Sequence, residues 1–338
     1  MVAAKLFHEP SLHHQTGQHP QSIKAARYDN VIVFGPTGAV GASAALEANK
    51  RGAKVWLAMR NTSKAIAEIP ADVEKSGKFE RVRADLTDPD SIATAVKESG
   101  AKAAYLYLIF GSRDHMRGCL QAMKDAGVEY VVFLSSVSVA PGKDLRSFPP
   151  ELFIGYSHAQ VELALEEIGF PYVTALRPAS FASNHYNMGL DKSEKPPKAN
   201  ITFENSLVDN IVPSDIGAVG GAVLLERPSN GKEVIFLCGP DHITLKESWA
   251  TIKKVSGRDD LDTTPLDAEE WLARMCRHTP LPLAKELLQT YEEWRDPEAM
   301  LPRAEFQQAV ANIKKFSGRE PTKFEDYVEA HKAEWLAV

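Results

Sequence analysis

The sequence predicts an α/β fold: a doubly wound parallel sheet followed by a smaller, mainly helical C-terminal domain. Three observations carry this. Short β-branched apolar runs alternate with helix-length segments from Val31 to Leu176. The runs are continuously apolar rather than alternating, as burial on both faces requires. Three glycines, Gly35, Gly38 and Gly41, separate the first run from the first helix. Alternation of this kind means right-handed crossovers and a sheet covered by helices on both sides.

The elements follow in order. Val31–Phe34 reads as a buried strand. Ala42–Arg51 reads as a helix that stops at Gly52. Val55–Met59 and Phe79–Arg83 are the second and third strands, the third leaving through Ala84, Asp85 and Leu86. Ser91–Ser99 is a helix with Asp90 available as its cap. Ala103–Ile109 is strand four, and Asp114–Ala126 a helix ended by Gly127. Tyr130–Leu134 is strand five, Ser157–Ile168 a helix ended by Gly169, and Tyr172–Leu176 strand six. Beyond Arg177 the pattern loosens into a polar excursion with Pro196 and Pro197, a shape that often frames a ligand site. Glu233–Cys238 returns to the sheet, and from Asp267 the chain is helical. Aromatics along that last stretch, Trp271 and Trp294 among them, read first as core.

Composition narrows the function classes. The chain has 338 residues, 44% of them apolar, and a net charge of -6. Nucleic acid and anionic membranes are not expected partners. No apolar run approaches the ~20 residues of a membrane span. Three scattered cysteines, Cys119, Cys238 and Cys276, fit free thiols in a reducing compartment, and no metal centre is expected. The first 28 residues read as a flexible polar arm without the pattern of a secretory signal, so the expected location is cytoplasmic. Their histidines, His8, His13, His14 and His19, leave metal capture as a second reading.

The glycine loop carries the most information. Gly35-x-x-Gly38-x-x-Gly41 follows a strand, opens a helix and begins a βαβ unit, the context of a Rossmann-type dinucleotide site. Lack of Cβ lets the backbone turn sharply and approach a ligand. The N–H groups around Thr37, Ala39 and Val40 would then face a pyrophosphate, aided by the helix dipole. Strand two ends on Arg60, followed by Asn61 and Lys64, with no carboxylate. A guanidinium here suits the 2′-phosphate of NADP(H), where an acidic residue would favour NAD. Asp85 and Leu86 fall where adenine would lie; Asp85 either accepts from its amino group or caps the next turn.

Several stretches, "VIVFGPTGAVG", "AMRN", "ADLTDPDSI", "GVEYVVFLSS", "ALRPASFASN", "IVPSDIGAV" and "GREPTKFEDYVEAHKAEW", together resemble NmrA-like proteins. These are atypical short-chain dehydrogenases/reductases related to the isoflavone-reductase group. The resemblance covers about residues 29 to 330. It implies a Rossmann domain over 29–180 with a return strand near 207–240. It also implies a substrate domain from 181–206 and 241–338, with a cleft between the two. It further implies two divergent lives, NADPH-dependent reductase or catalytically silent cofactor sensor.

Chemistry in such sheets sits beyond the carboxyl ends of the strands. Leu108 and Phe110 follow strand four there, and Ser135 and Ser136 follow strand five. The wider superfamily uses Tyr-x-x-x-Lys; here Tyr156 is followed by Gln160, which cannot ionise. Aligned with relatives, "SHAQVE" puts His158 in a lysine slot. At 100° per residue His158 lies within ~60° of Val161 and Leu165, and so points inward. It is read as an acid, a cofactor contact or a structural histidine. Tyr156 is the second acid candidate, and Ser136 matches the superfamily's substrate-binding serine. In "RPASFASN" the resemblance places Pro178, Ala179 and Phe181 at the nicotinamide and Asn184 beside it, with His185 and Tyr186 reaching substrate.

The expected function is an NADPH-dependent reductase of a small organic, natural-product-like substrate. Hydride would pass to a C=N, C=O or C=C bond, with or without coupling to ring closure. The alternative is a non-catalytic NADP(H)-sensing regulator. The expected assembly is a monomer or homodimer.

Overall fold

The computed structural model describes residues 27–338. Seven parallel strands form one sheet: β1 (Asn30–Phe34), β2 (Lys54–Met59), β3 (Phe79–Arg83), β4 (Ala103–Tyr107), β5 (Tyr130–Leu134), β6 (Tyr172–Pro178) and a late strand, Lys232–Leu237. Their spatial order is β3-β2-β1-β4-β5-β6 followed by the late strand. This is the doubly wound order with one strand added, and it reverses direction between β1 and β4. Register runs Val31↔Val55 on one side of β1 and Val31↔Ala103 on the other. Apolar runs such as Val31–Phe34 are buried on both faces, as their composition requires.

Helices α1 (Ala39–Lys50), α2 (Ala71–Ser76), α3 (Pro89–Ser99), α4 (Arg117–Asp125) and α5 (Phe153–Ile168) connect the first six strands. After β6 come a short helix α6 (Asn184–Asn187) and three two-residue strands, β7 (Leu190–Asp191), β8 (Lys198–Ala199) and β9 (Leu207–Val208). Helix α7 (Pro213–Val223) then leads into the late strand, β10, and on through β11 (Ile243–Thr244). Helices α8 (Leu245–Ser256), α9 (Ala268–Met275), α10 (Leu281–Glu293), α11 (Arg303–Ser317), α12 (Phe324–Ala330) and α13 (Lys332–Leu336) complete the chain. One sheet face packs against α1 and α7, the other against α3, α4 and α5.

Several expected boundaries shift for local reasons. Helix α3 is capped by Asp88 rather than Asp90: the Asp88 carboxylate accepts the N–H groups of Asp90 and Ser91, and Pro89 opens the helix. The stretch from Asp114 is a turn before it is a helix. Asp114 accepts the N–H groups of Met116 (3.0 Å) and Gly118 (2.8 Å), and His115 and Met116 take positive φ. Helix α5 starts four residues before Ser157, and β4 ends at Tyr107 rather than Ile109.

Helices α7 and α8 lie where no helix is expected from sequence. Helix α8 carries a full capping box between Thr244 and Glu247. Helix α11, read as part of the second domain, packs on α7 and β10, with Ile313 in the sheet-side core and Asn312 bonded to Phe236 O. Of the arm, residues 1–26 and their four histidines lie outside the described residues. Arg27 is exposed but forms a β-bridge with Glu226, and Tyr28 is buried, stacking on Tyr130 and donating to Glu129.

Candidate functional site

The loop between β1 and α1 is built around close contact. Gly35 takes φ +73°, and a Cβ there would lie 2.4 Å from the Tyr107 ring. A Cβ on Gly41 would lie 2.3 Å from Gly35 O, so the helix can enter the loop this tightly only with glycine. Gly38 is the N-cap, and no side chain caps the helix. First-turn N–H groups of a helix, here those of Ala39, Val40 and Gly41, have no acceptor within it. They face the loop of Gly35 and Thr37 as open anion donors.

Arg60 leaves the end of β2, exposed, and its charge reaches Asp85 and Tyr107. Asp85 accepts both the N–H and the hydroxyl of Thr87, at 2.9 and 2.8 Å, which holds its carboxyl below the usual range; Arg60 and Arg83 add to this. Of its two expected roles, the turn cap is the one its bonds show, beside buried Leu86. Arg83 is a second exposed guanidinium at the same level, since Met59 pairs with Arg83 across β2 and β3. It was missed from sequence because only strand register brings it to Arg60. Asn61 is committed to its own loop, accepting Ser63 N at 3.0 Å, and Arg81 donates to Lys64 O; the Lys64 side chain is exposed.

Beyond the carboxyl ends of β4, β5 and β6 lies a cavity of about 350 Å³. Its sheet-side wall includes Leu108, Phe110, Ser135, Ser136, His158, Pro178, Ala179, Phe181, Asn184 and His185. Tyr107 lines it too, and so joins the cavity to the glycine loop. The far wall comes from α8, α9 and α10: Trp249, Trp271, Met275, Leu283, Leu287, Thr290, Tyr291 and Trp294. Among the described residues no Asp, Glu, Lys or Arg lines it. These far-wall residues are what sequence reading missed or took for core. Aromatics at helical spacing look the same whether they face a core or a cavity.

His158 is buried, and its Nδ1 lies 2.8 Å from Ile154 O. A carbonyl cannot donate, so Nδ1 carries the hydrogen and Nε2 is a bare acceptor. Burial pushes the imidazole down to about 4, so it is neutral near pH 7. A proton-donating His158 therefore does not fit; an accepting one does. Phe110 stacks on Phe153 at 5.5 Å and meets the His158 ring edge-on at 5.7 Å.

Tyr156 does not share this cavity. At 100° per residue, side chains two positions apart on a helix point about 200° apart, so only one of Tyr156 and His158 can face inward. Tyr156 lines a separate pocket of about 220 Å³ and packs against His115 at 5.4 Å. Tyr186 is likewise turned away, its ring against Trp335 and under Lys192, its hydroxyl on Glu334 O. His185 and Asn184 on the same short helix do reach the cavity.

The serine loop is tied from beneath. Ser135 donates to Glu162 at 2.5 Å, and Glu162 is gripped by Arg177 through Nε (3.0 Å) and Nη2 (2.6 Å). The Ser135 hydroxyl is thus spent inside the protein. Ser136 Oγ accepts Ser138 N at 3.1 Å. The loop after β6 is held by Asp209, fully buried, which accepts Ser180 N (2.7 Å) and Gly239 N (2.8 Å); burial pushes its carboxyl up to about 7.

Sheet order, glycine loop and a cavity at the strand ends define a Rossmann-type α/β protein with an attached helical region. The chain belongs to the NmrA-like family, whose model matches residues 27–328. It is 35% identical over 323 residues to the nitrogen metabolite regulation-like protein bik4 of Gibberella fujikuroi, covering 91% of this chain and 98% of that one. Among solved structures it resembles an NADPH-dependent quinone oxidoreductase of Escherichia coli complexed with NADPH, at 19% identity and TM-score 0.64, over 89% of this chain and 99% of that one. It also resembles a doubly substituted NmrA, at 14% identity and TM-score 0.67, over 92% and 99%. At these identities the structural likeness concerns the fold. Among the described residues no helix is long and apolar enough to cross a membrane, and no group of three His, Cys, Asp or Glu could hold a metal.

Proposed function

We propose that this protein binds NADP(H) and reduces a small, uncharged organic substrate. The observation that carries the reading is the cradle at α1: uncapped amides, a Gly41 whose Cβ would strike Gly35 O, and two guanidiniums at the ends of β2 and β3. A pyrophosphate fits the first, and a 2′-phosphate the second. The E. coli relative, crystallised with NADPH, supports the same cofactor.

Held by the first-turn amides of α1 and by Arg60, NADPH would make a hydride available to the electrophilic carbon of a C=N, C=O or C=C bond. The chain's own residues do the rest. Tyr107 lies where cradle and cavity meet, and the loop from Pro178 to Phe181 forms the wall opposite. His158 Nε2, as an acceptor, would hold a ribose hydroxyl rather than deliver a proton. The lining carries the hydroxyls of Tyr107, Ser136, Ser138, Ser180, Thr290 and Tyr291, any of which a developing negative charge would meet, with Ser136 Oγ bonded to Ser138 Oγ at 3.2 Å. Tyr291 stays a neutral phenol, pushed up to about 12 by burial alone. The apolar walls exclude water from the reacting atoms.

A second reading, a sensor that binds dinucleotide without turnover, draws on one observation: His158 is not a proton donor, and Tyr156 faces another pocket. NADPH oxidation followed by absorbance with a panel of enones, imines and quinones separates the two. Cofactor uptake with no turnover on the whole panel would leave the sensor.

A further inference from the structure

The buried histidine on α6 is oriented by a chain of hydrogen bonds whose direction can be read from one end. Ser248 Oγ donates to the Thr244 carbonyl at 3.0 Å. Having spent its proton, it accepts from Asn210 Nδ2, also at 3.0 Å. Asn210 is fully buried and held at φ +49°, so its amide offers Oδ1 to the other side. There it meets His185 Nε2 at 2.8 Å. An amide oxygen only accepts, so His185 carries its hydrogen on Nε2 and its Nδ1 is a bare lone pair. The ring is wedged between Trp249 (5.4 Å) and Phe324 (5.3 Å), which prevents it from turning over.

Nδ1 is not sealed in the core. Among the described residues the buried side-chain nitrogens and oxygens without a partner are Tyr105 Oη and Asn200 Oδ1. His185 lines the cavity, so its second nitrogen opens into it. The lining thus holds an acceptor in want of a hydrogen, set among indole and phenyl faces, and among the described residues no charged side chain lines the cavity to meet an ion.

We infer that the cavity selects an uncharged aromatic ligand bearing a hydroxyl or N–H group, and that His185 reads that group by accepting its hydrogen at Nδ1. A ligand with a donor satisfies the lone pair; one without it buries the acceptor unpaired, at the cost of the lost hydrogen bond. His185 is in this sense a specificity-determining residue. The inference rests on the cavity being the substrate site.

The test uses two probes of nearly equal shape, 2-naphthol and 2-methoxynaphthalene, titrated calorimetrically into the full chain at pH 7.5. The expected result is a preference for the naphthol of roughly tenfold or more. His185→Phe, which removes the acceptor and with it the cost of burying it beside the ether, should shrink the preference to within about twofold; His185→Gln, which keeps an acceptor, should retain the preference. Equal affinities in the wild type, no binding of either probe, or a preference that survives His185→Phe overturns the inference.

A second readout does not depend on the variants folding. In ¹⁵N-histidine-labelled wild-type protein, the bare Nδ1 resonance of His185 should move on adding the naphthol and stay on adding the ether. No response to the naphthol overturns the assignment. No cofactor is present in these titrations. A protein that binds the naphthol but takes up no NADP(H) loses the reductase reading and keeps this one.

Discussion

The carboxylate of Glu286, on α10, accepts the backbone N–H of Gly155 at 3.3 Å and also that of Ile154. Helix α5 has no side-chain cap of its own, so a residue more than a hundred positions away supplies it. The same α10 carries Leu283, Leu287 and Tyr291 into the cavity wall. The cap therefore fixes the far wall against the helix that holds His158. Glu286→Ala should cost about 1–2 kcal/mol of stability in denaturant unfolding, as loss of a good N-cap does. Glu286→Gln should cost less. An unchanged midpoint for the alanine variant would show that the contact does not cap the helix.

For the nucleotide, Arg60→Ala should weaken NADP(H) roughly tenfold to a hundredfold, and NAD(H) by no more than about twofold. Arg83→Ala should shift affinity in the same direction by less. Calorimetry with all four cofactor forms checks this. Equal losses for both coenzymes would remove the 2′-phosphate assignment.

His158→Ala should raise the NADPH dissociation constant roughly tenfold and change turnover by no more than about threefold, because its free nitrogen accepts a hydrogen bond. His158→Gln should restore much of the affinity. A collapse of turnover at unchanged affinity would return His158 to the chemistry.

Acid should destabilise the protein through two histidines. His158 and His185 are held at about 4 in the fold, against 6.5 as the ordinary value. The unfolded chain binds more protons between those values, so stability falls as pH drops from 6.5 to 4, by on the order of 3 kcal/mol for each. Asp209 acts with the opposite sign. Its carboxyl is raised from 3.8 to about 7, so its share of stability is lost as pH rises across that interval. Comparing wild type with His185→Gln over pH 4 to 7 isolates one histidine; the acid slope should flatten in the variant. Parallel curves would mean that His185 is not held neutral.

Helix packing gives a prediction whose sign opposes simple propensity. Gly221 sits within α7, where alanine would normally stabilise a helix by about 1 kcal/mol. A Cβ there would lie 2.3 Å from Ala44 O on α1, and one on Gly217 would lie 2.4 Å from Ser43 Cβ. Gly221→Ala should therefore destabilise by about 1–3 kcal/mol. A raised melting temperature would show that the two helices can part at no cost.

That glycine pair also explains why α7 could not be read from sequence. "PSDIGAVGGAV" carries three glycines, and local propensity argues against a helix. The helix exists because small residues let it lie on α1. Periodicity along one segment says nothing of a partner 170 residues away. His158 shows what periodicity can give: its phase against Val161 and Leu165 pointed it inward, and it lines the cavity, but the aromatics it faces across that cavity come from distant helices.

What the amino-acid order settled alone is local or periodic: the buried strands, the glycine turn at Gly35 to Gly41 and the cation that closes β2. Each depends on φ, on burial or on charge within a few residues, and so leaves a trace in a short window. Only the folded chain decided the rest. Strand register set Arg83 level with Arg60, α8 to α10 turned their aromatics toward a cavity, and the Thr244–Ser248–Asn210 relay chose the tautomer of His185. These are contacts between distant segments, and a hydrogen bond or a packed face acquires direction only when both partners are in place.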